Sequence, residues 1–257
     1  MELRLDGQTA IVTGGSRGIG LGISKAFHDA GANVLLVSRK EEGLQAAVEE
    51  LGGGERLHYL AAHVGKGEDA ERAIDEAIAH FGSVDVLVNN AATNPHAGRM
   101  IDCDIGKLDK TWEVNLRGPF LWSQLAYNKW MKDNGGSIIN ISSVGGYKTS
   151  AALGVYCMLK STLIHMTRQM AGELGPNVRV NAIAPGLIKT DFARALWEGE
   201  RGDMIAERYP LKRLGEPSDI GETALWLAAN ASWVTGICIP VEGGELASIE
   251  GELELSE

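Results

Sequence analysis

Two ionisable side chains in the segment Tyr156-Cys157-Met158-Leu159-Lys160 lie four residues apart. On a helix this spacing places both side chains on one face. An ammonium held close to a phenol favours the phenolate and lowers the tyrosine pKa from about 10 toward neutral pH. The pair therefore predicts a tyrosine that can give or take a proton.

Two serines, Ser142 and Ser143, end the apolar run that precedes this helix in the sequence. If that run is a strand of an open parallel sheet, both serines lie at the carboxyl edge, where such sheets bind their ligands. A hydroxyl donor would then converge on the tyrosine. The residues alone do not distinguish the two serines.

A glycine-rich segment, Thr13–Gly20, follows the first apolar run and opens the first predicted helix. Gly14 permits a tight turn, Gly18 lets the backbone approach a pyrophosphate, and Gly20 lets helix and strand pack closely. The helix N-terminus offers amides and a positive dipole end to a phosphate. A plain βα turn is the alternative, but the context favours a dinucleotide site. Three other residues of this segment are predicted to contact the dinucleotide: Ser16, Arg17 and Ile19.

The end of the second predicted strand indicates which dinucleotide fits. An NAD site usually carries Asp or Glu there, which accepts hydrogen bonds from the ribose hydroxyls. This chain carries Ser38 and Arg39 instead. Arg39 and Arg17 could bind a 2′-phosphate through charge-assisted hydrogen bonds, although both could also be solvated arginines. The sequence therefore predicts NADP(H) as the cofactor.

Seven apolar runs recur along the chain and are nearly continuous rather than alternating, as in a parallel sheet with helices on both faces. The intervals show helical spacing and are long enough for crossover helices. The predicted strands are Ala10–Val12, Val34–Val37, Leu57–Ala61, Val84–Val88, Ser137–Ile141, Val178–Ile183 and Ile237–Val241. The predicted helices are Gly18–Ala30, Glu41–Leu51, Glu68–Phe81, Leu108–Asn134, Val155–Leu174 and Ser218–Ala229.

This pattern predicts an α/β fold, a Rossmann-type doubly wound parallel sheet in three layers and a single domain. No linker or repeat divides the chain. We expect residues 1–245 to form the NADP(H)-binding domain and residues 246–257 to form an acidic tail. The longest irregular stretch, Gly186–Pro217, falls at the carboxyl edge, so residues 187–217 are expected to be a substrate lid.

Composition and charge exclude several classes of protein. The 257 residues include 34 Asp and Glu against 24 Lys and Arg, for a net charge of -10. Six of the acids lie in Glu242–Glu257, and the remaining charge of about -4 creates no field that attracts nucleic acid or an anionic membrane. No signal peptide or membrane span is predicted.

Cysteine and histidine spacing predicts no metal site. The three cysteines show no CxxC spacing, and the six histidines form no HExxH motif. His58 and His80 are expected to have surface or packing roles. Three isolated cysteines suggest a reducing compartment, so we expect a cytoplasmic protein.

Several motifs in one order resemble the single-domain short-chain dehydrogenases/reductases over about residues 5–245. These motifs are Thr13–Gly20, Asn89-Asn90-Ala91, Asn115, Ser143, Tyr156-x-x-x-Lys160 and Pro185-Gly186. The resemblance implies the strand order 3-2-1-4-5-6-7. It also implies that Ser143, thirteen residues before the tyrosine, is the catalytic serine rather than Ser142.

The resemblance implies reduction of a ketone or aldehyde with NADPH by a tetrad of Asn115, Ser143, Tyr156 and Lys160. Ser143 would hydrogen-bond the carbonyl oxygen, Tyr156 would protonate it, and Lys160 would lower the tyrosine pKa and hold the nicotinamide ribose. Asn115 would support a water chain to Lys160. The implied cofactor contacts outside the glycine segment and Ser38-Arg39 are His63, Val64, Asn90, Ala91, Tyr156, Lys160, Pro185, Gly186, Ile188 and Thr190.

The chain departs from the family pattern at two positions. Ala92 replaces the glycine of Asn-Asn-Ala-Gly, and His63 replaces the usual adenine-contacting Asp. Strings such as His63-Val64-Gly65-Lys66 resemble the NADPH-dependent retinal and carbonyl reductases of peroxisomes. Their C-terminal peroxisomal address does not match Leu255-Ser256-Glu257, so a cytoplasmic location remains the expectation.

Family position places the substrate site between Thr93–His96, Val144–Leu153 and Leu187–Tyr209. The residues expected to line it are His96, Tyr147, Leu153, Phe192, Leu196 and Trp197. This mostly apolar lining favours an apolar carbonyl compound. Nearby Lys148, Lys189 and Arg194 keep open a 3-oxoacyl thioester on a carrier protein or coenzyme A.

One further alternative is a protein without catalytic activity. A non-catalytic NADP-sensing protein would keep the glycine segment but lose the tetrad, which is complete in this chain.

A homotetramer is predicted from the resemblance and from apolar positions on the long helices, which could pair across a two-fold axis. These positions are Leu121, Leu125, Leu159, Leu163 and Met166.

Overall fold

A computed structural model describes residues 2–247, so most of the predicted acidic tail (246–257) lies outside the described residues. The strands form one parallel sheet in the order β3-β2-β1-β4-β5-β6-β7, which confirms the expected topology. They are β1 (Thr9–Thr13), β2 (Asn33–Ser38), β3 (Leu57–Ala61), β4 (Val86–Asn89), β5 (Gly136–Ile141), β6 (Val178–Pro185) and β7 (Cys238–Val241).

Helices cover both faces of the sheet, as predicted, and give three layers. Buried residues of α1, α2 and α10 form one apolar core with the sheet, and those of α3, α5 and α7 form another on the opposite face. The helices are α1 (Gly18–Asp29), α2 (Glu41–Glu50), α3 (Gly67–Phe81), α4 (Ile105–Trp112), α5 (Gly118–Ala126), α6 (Lys132–Asn134), α7 (Gly154–Leu174), α8 (Arg194–Trp197), α9 (Glu200–Arg208) and α10 (Pro217–Ala229).

The central strands show why the apolar runs in the sequence are continuous. Successive side chains of a strand point to opposite faces. In β1, Ala10 and Val12 join the core under α1, while Ile11 joins the core under α3. Both faces are buried, so apolar residues are favoured at both sets of positions.

The predicted helix Leu108–Asn134 is helical throughout but begins earlier and is interrupted. It starts at Ile105, where the Asp104 side chain accepts from the amide of Lys107. Two π-helical turns, Glu113–Arg117 and Tyr127–Met131, separate its α-helical parts. Such insertions are frequent at functional sites, and the first one carries Asn115.

The stretch predicted to be irregular, Gly186–Pro217, contains helical structure, so that part of the prediction is wrong. A 3₁₀ turn (Asp191–Ala193) leads into α8 and α9. α8 has only four residues, and α9 is largely polar and is preceded by Gly199 at φ +72°. A helix of one turn, or one with few apolar positions, does not show the 3.6-residue period in the sequence.

A buried polar network ties β4 and β5 to α7. The Asn89 amide donates to Asn140 Oδ1 at 2.9 Å, and the Asn140 amide donates to Thr167 Oγ1 at 2.9 Å. All three side chains are buried. Because buried polar groups are costly when unpaired, this network fixes how the strands sit against the helix.

Part of the argument for a tetramer is wrong. Leu159 and Leu163 are only 2% and 1% exposed and pack with Leu116 and Val155 of the same chain. They therefore offer no free apolar surface to a partner. Within residues 2–247, no helix is long and apolar enough to cross a membrane.

Candidate active site

The glycine segment forms a tight loop between β1 and α1, at the carboxyl edge of the sheet. Gly14 and Gly18 have φ values of +66° and +53°, which favour glycine. A Cβ on Gly20 would lie 2.1 Å from the Gly14 carbonyl oxygen. Larger residues at these positions would displace the loop from the helix.

The N-terminus of α1 is open to an anion. No described side chain caps its first amides, and its first turn contains no acid. Arg17 and Arg39 lie exposed, and neither guanidinium has a hydrogen bond or an ion pair within the described part of the chain. Free amides at a positive helix end fit a pyrophosphate, and the arginines are free to bind a further phosphate.

Thr13 and Asn90 hold the glycine loop against the end of β4. Thr13 Oγ1 donates to the Val88 carbonyl and accepts from the amide nitrogens of Asn90 at 2.9 Å and Ala91 at 3.2 Å. The Asn90 side-chain amide donates to the Thr13 carbonyl at 2.8 Å. Asn90 therefore positions the loop, and Thr13 is a supporting residue that the sequence analysis did not single out.

His63 lies in a cationic cluster just beyond β3. Its Nδ1 accepts from the amide of Gly65 at 3.0 Å, and its Nε2 lies 2.9 Å from Lys110 Nζ. Burial and the charge of Lys110 lower the pKa of His63. A neutral imidazole thus stands where the family carries a carboxylate, and Arg39 is one of the neighbouring cations that lower this pKa. Val64, the next residue, accepts from the Trp122 indole through its carbonyl.

The segment that ends β6 faces the glycine loop. A Cβ on Gly18 would lie 3.0 Å from Thr190 Cγ2, so the two segments are in contact range. Pro185 is the last residue of β6, and the amide of Gly186 donates to Val241. Ile188 is 3% exposed and packs in the core, and its carbonyl accepts from Thr190 Oγ1 at 3.4 Å. The predicted cofactor segments therefore lie together at one edge.

The structure separates the roles of the two serines. Ser142 is buried, and its hydroxyl donates to the carbonyl of Lys160 at 2.9 Å. Ser143 Oγ accepts from the amide of Gly145 at 3.1 Å, and its hydroxyl lies near enough to the Tyr156 phenol to lower the pKa of that group. Ser143, not Ser142, therefore lies beside the phenol, in agreement with the family position.

Tyr156 and Lys160 lie together on α7, but their protonation differs from the sequence expectation. The Lys160 ammonium lies 5.5 Å from the centroid of the Tyr156 ring and donates to the Ile141 carbonyl at 2.6 Å. Burial raises the pKa of Tyr156 to about 12, although the nearby Ser143 hydroxyl acts in the opposite direction. Burial also lowers the pKa of Lys160 to about 8. In the protein alone, desolvation outweighs the expected effect of the ammonium on the phenol.

Asn115 is fully buried in the first π-helical turn. Its Oδ1 accepts from the Thr93 amide at 2.8 Å, and its Nδ2 donates to the Thr93 carbonyl at 2.9 Å. The Asn115 side chain thus satisfies both backbone groups of Thr93 in the loop after β4. This arrangement places Asn115 next to the predicted substrate segment Thr93–His96.

The predicted substrate residues fall on neighbouring segments with different environments. Gly98 pairs with Leu153, which brings the loop of His96 against the start of α7. The Tyr147 hydroxyl donates to the Cys238 carbonyl at 3.0 Å and is therefore already engaged with β7. Phe192 is 56% exposed, while Trp197 is partly buried and donates to the Thr190 carbonyl at 2.9 Å.

Glu245 joins three segments around this region and was not singled out by the sequence analysis. It forms an ion pair with Lys148 and accepts from the Tyr209 hydroxyl at 3.1 Å. The same hydroxyl accepts from the amide of Leu187 at 3.3 Å. The lid, the loop after Ser143 and the C-terminal segment are thereby connected.

Comparisons with known proteins agree with this geometry. A family model described as "Enoyl-(Acyl carrier protein) reductase" matches residues 14–245. The chain is 39% identical to dehydrogenase/reductase SDR family member 4 of Sus scrofa over 93% of this chain and 88% of that protein.

Two solved structures superpose closely. A short-chain dehydrogenase/reductase from Brucella melitensis, described as glucose/ribitol dehydrogenase, has a TM-score of 0.90 at 33% identity and covers 95% of this chain and 99% of its own. A 7α-hydroxysteroid dehydrogenase with NADH and 7-oxo-glycochenodeoxycholic acid has a TM-score of 0.88 at 34% identity, with 95% and 96% covered. The chain belongs to the short-chain dehydrogenase/reductase family of oxidoreductases, which use a nicotinamide cofactor.

Proposed function

We propose that this protein is an NADP(H)-dependent reductase of apolar ketones, dicarbonyls or aldehydes. The observation that carries the proposal is the placement of the Ser143 hydroxyl beside the Tyr156 phenol, with the buried Lys160 on the same helix face. A reduced nicotinamide supplies a hydride to a carbonyl carbon when it is bound. The protein's task is to orient the substrate and supply a proton.

We assign donation of the proton to Tyr156, and we assign the first hydrogen bond to the substrate carbonyl oxygen to Ser143. With a pKa of about 12, the phenol is protonated at neutral pH and can donate to a carbonyl oxygen as that oxygen gains negative charge. Ser143 Oγ already accepts from the amide of Gly145, which leaves its own proton free for the phenol or a substrate oxygen. Lys160, with a pKa of about 8, keeps a positive charge 5.5 Å from the centroid of the Tyr156 ring at neutral pH.

The preference for NADP(H) rests on free positive charge at the adenosine end. Arg17 and Arg39 lie exposed at the glycine loop and at the end of β2, and no described acid neutralises them. His63 contributes no carboxylate there. A guanidinium suits the geometry of a 2′-phosphate, whereas an acidic residue would repel it.

Reduction of a 3-oxoacyl thioester is the second candidate, because the description of the matching family model names an acyl-carrier thioester substrate, although an enoyl rather than a 3-oxoacyl one. The cations that first suggested it are neutralised in the structure. Lys148 pairs with Glu245, Lys189 pairs with Glu216 at 2.8 Å, and Arg194 pairs with Asp191. They are therefore less available to the phosphates of a thioester carrier, which favours the free carbonyl compound.

A homotetramer in the cytoplasm remains part of the proposal. Its support is family membership and the apolar residues that do lie exposed on the long helices, Trp112, Phe120 and Met158. These residues replace Leu159 and Leu163 as the surface that a partner would cover.

Replacing Tyr156 by Phe is expected to reduce turnover at least about 100-fold and to leave NADPH affinity nearly unchanged, because only the acidic hydroxyl is lost. Ser143→Ala is expected to be severe. Ser142→Ala is the matched control and is expected to affect stability more than turnover, since its hydroxyl bonds only the Lys160 carbonyl. Steady-state kinetics measure turnover, and fluorescence titration with NADPH measures cofactor affinity. Wild-type turnover by Tyr156→Phe would refute the proton-donor role.

Replacing Arg39 by Asp is expected to shift preference from NADPH toward NADH. The change removes a phosphate partner worth about 1.5–3 kcal/mol, or roughly 10- to 150-fold in affinity. KM values for both cofactors measure the shift. Lys132→Asp, at the opposite edge of the sheet, is the charge-matched control. Equal KM values for NADPH and NADH in the parent enzyme would contradict the assignment.

A panel of substrates separates the two candidate reactions. With NADPH, aryl ketones and vicinal diketones are expected to give higher kcat/KM than 3-oxoacyl thioesters or ketoses. A lead of 100-fold or more for the thioester, about 2.7 kcal/mol, would establish the second candidate instead. A ketose as best substrate would overturn the argument for an apolar pocket.

Light scattering at micromolar concentration is expected to give four times the chain mass of 27.5 kDa. Phe120→Asp is expected to lower the measured mass by placing a charge on the exposed helix face. Met204→Asp, on the lid, is the control, because Met204 is also an exposed apolar residue. A monomeric parent protein would contradict the tetramer.

A further inference from the structure

Three side chains that the active site does not use meet at the outer edge of the sheet. His58 is the second residue of β3, an edge strand, and Glu76 and His80 lie four residues apart on α3. One ligand atom from each of the three lies within 4.8 Å of the other two. This end of β3 is opposite the carboxyl edge, so the group lies away from the cofactor segments.

Contacts hold the two imidazole rings in place. His58 Nε2 lies 2.9 Å from Glu76 Oε1. The rings of His58 and His80 stack with centroids 4.2 Å apart and planes 5° from parallel, and Phe81 packs edge-on against both. The side chains of His58 and Glu76 remain 30% and 40% exposed, so an ion can reach the group from solvent.

The His58–Glu76 hydrogen bond does not explain the position of His80. The ring nitrogens of His80 have no hydrogen bond within the described part of the chain. Two imidazoles and one carboxylate are a common donor set for zinc, which binds nitrogen and carboxylate oxygen at about 2.0–2.2 Å. Ligand atoms around a tetrahedral ion lie roughly 3.3 Å apart, so the exposed His80 ring reaches the ion by rotating out of its stack with His58.

We propose that His58, Glu76 and His80 bind a divalent transition-metal ion of the zinc class, with water as the remaining ligand. Imidazole nitrogen selects this class over Mg²⁺ and Ca²⁺, which prefer oxygen. The bound ion links the edge strand β3 to the C-terminal half of α3. Sequence analysis predicted no metal site because positions 58 and 80 are far apart in the chain, and only the packing of α3 on β3 brings them together.

Isothermal titration of the purified, tag-free chain with Zn²⁺ tests the site. We expect one ion per chain and a higher midpoint of thermal unfolding with Zn²⁺ than with EDTA, since a ligand that binds only the folded state stabilises it. His80→Gln and His58→Gln are each expected to weaken binding at least about 10-fold. His165→Gln is the matched control, because His165 is an exposed histidine on α7 away from the group.

Several outcomes would overturn the site. These are unchanged Zn²⁺ affinity in His80→Gln, an equal loss in His165→Gln, binding no tighter than millimolar, and equal affinity for Mg²⁺. Unfolding in EDTA shows whether each variant is folded. His80 is exposed, so His80→Gln decides the question if the half-buried His58 tolerates no change. NADPH affinity is expected to stay unchanged in both variants, which separates this test from that of the proposed reaction.

Discussion

A reciprocal pair of hydrogen bonds between the end of β5 and α7 holds the candidate active site together. The Lys160 ammonium donates to the Ile141 carbonyl, and the Ser142 hydroxyl donates back to the Lys160 carbonyl. Burying an ammonium is costly, and the lowered pKa of Lys160 records that cost. The two bonds offset part of it and fix the register of helix on strand. Ser143 follows the end of β5 and Tyr156 lies on α7, so the register of these two elements sets the distance between the two side chains.

Side chains also satisfy backbone groups at the other strand ends of this edge. Where a parallel strand stops, its backbone groups lose their ladder partners and need others. Asn90 and Thr13 supply them between β1 and β4, and Asn115 supplies them to Thr93 in the next loop. Short polar side chains at these positions therefore support the site rather than touch a substrate. Apolar residues of equal size could not replace them.

Sequence patterns predicted most of the fold because the central strands are buried on both faces. The strand order came from the family resemblance, since periodicity alone does not determine which strands are neighbours. Helices α8 and α9 were missed because α8 is only one turn long and α9 has few apolar positions, so neither leaves a clear periodic signal. Ser143 was chosen by family spacing, and the structure adds the physical reason, because the Ser142 hydroxyl is directed to the Lys160 carbonyl. The group of His58, Glu76 and His80 exists only through the packing of a helix on a strand.

The tyrosine pKa shows most clearly what a sequence pattern omits. The spacing of Tyr156 and Lys160 identifies a charge that favours the phenolate, but not the burial that opposes it. Since desolvation has the larger effect, the phenol of the protein alone is protonated up to a pH of about 12, and Lys160 is protonated up to about 8. Reduction of a carbonyl needs a proton donor, whereas oxidation of an alcohol needs a base. At neutral pH the protein alone therefore holds Tyr156 in the form that reduction requires.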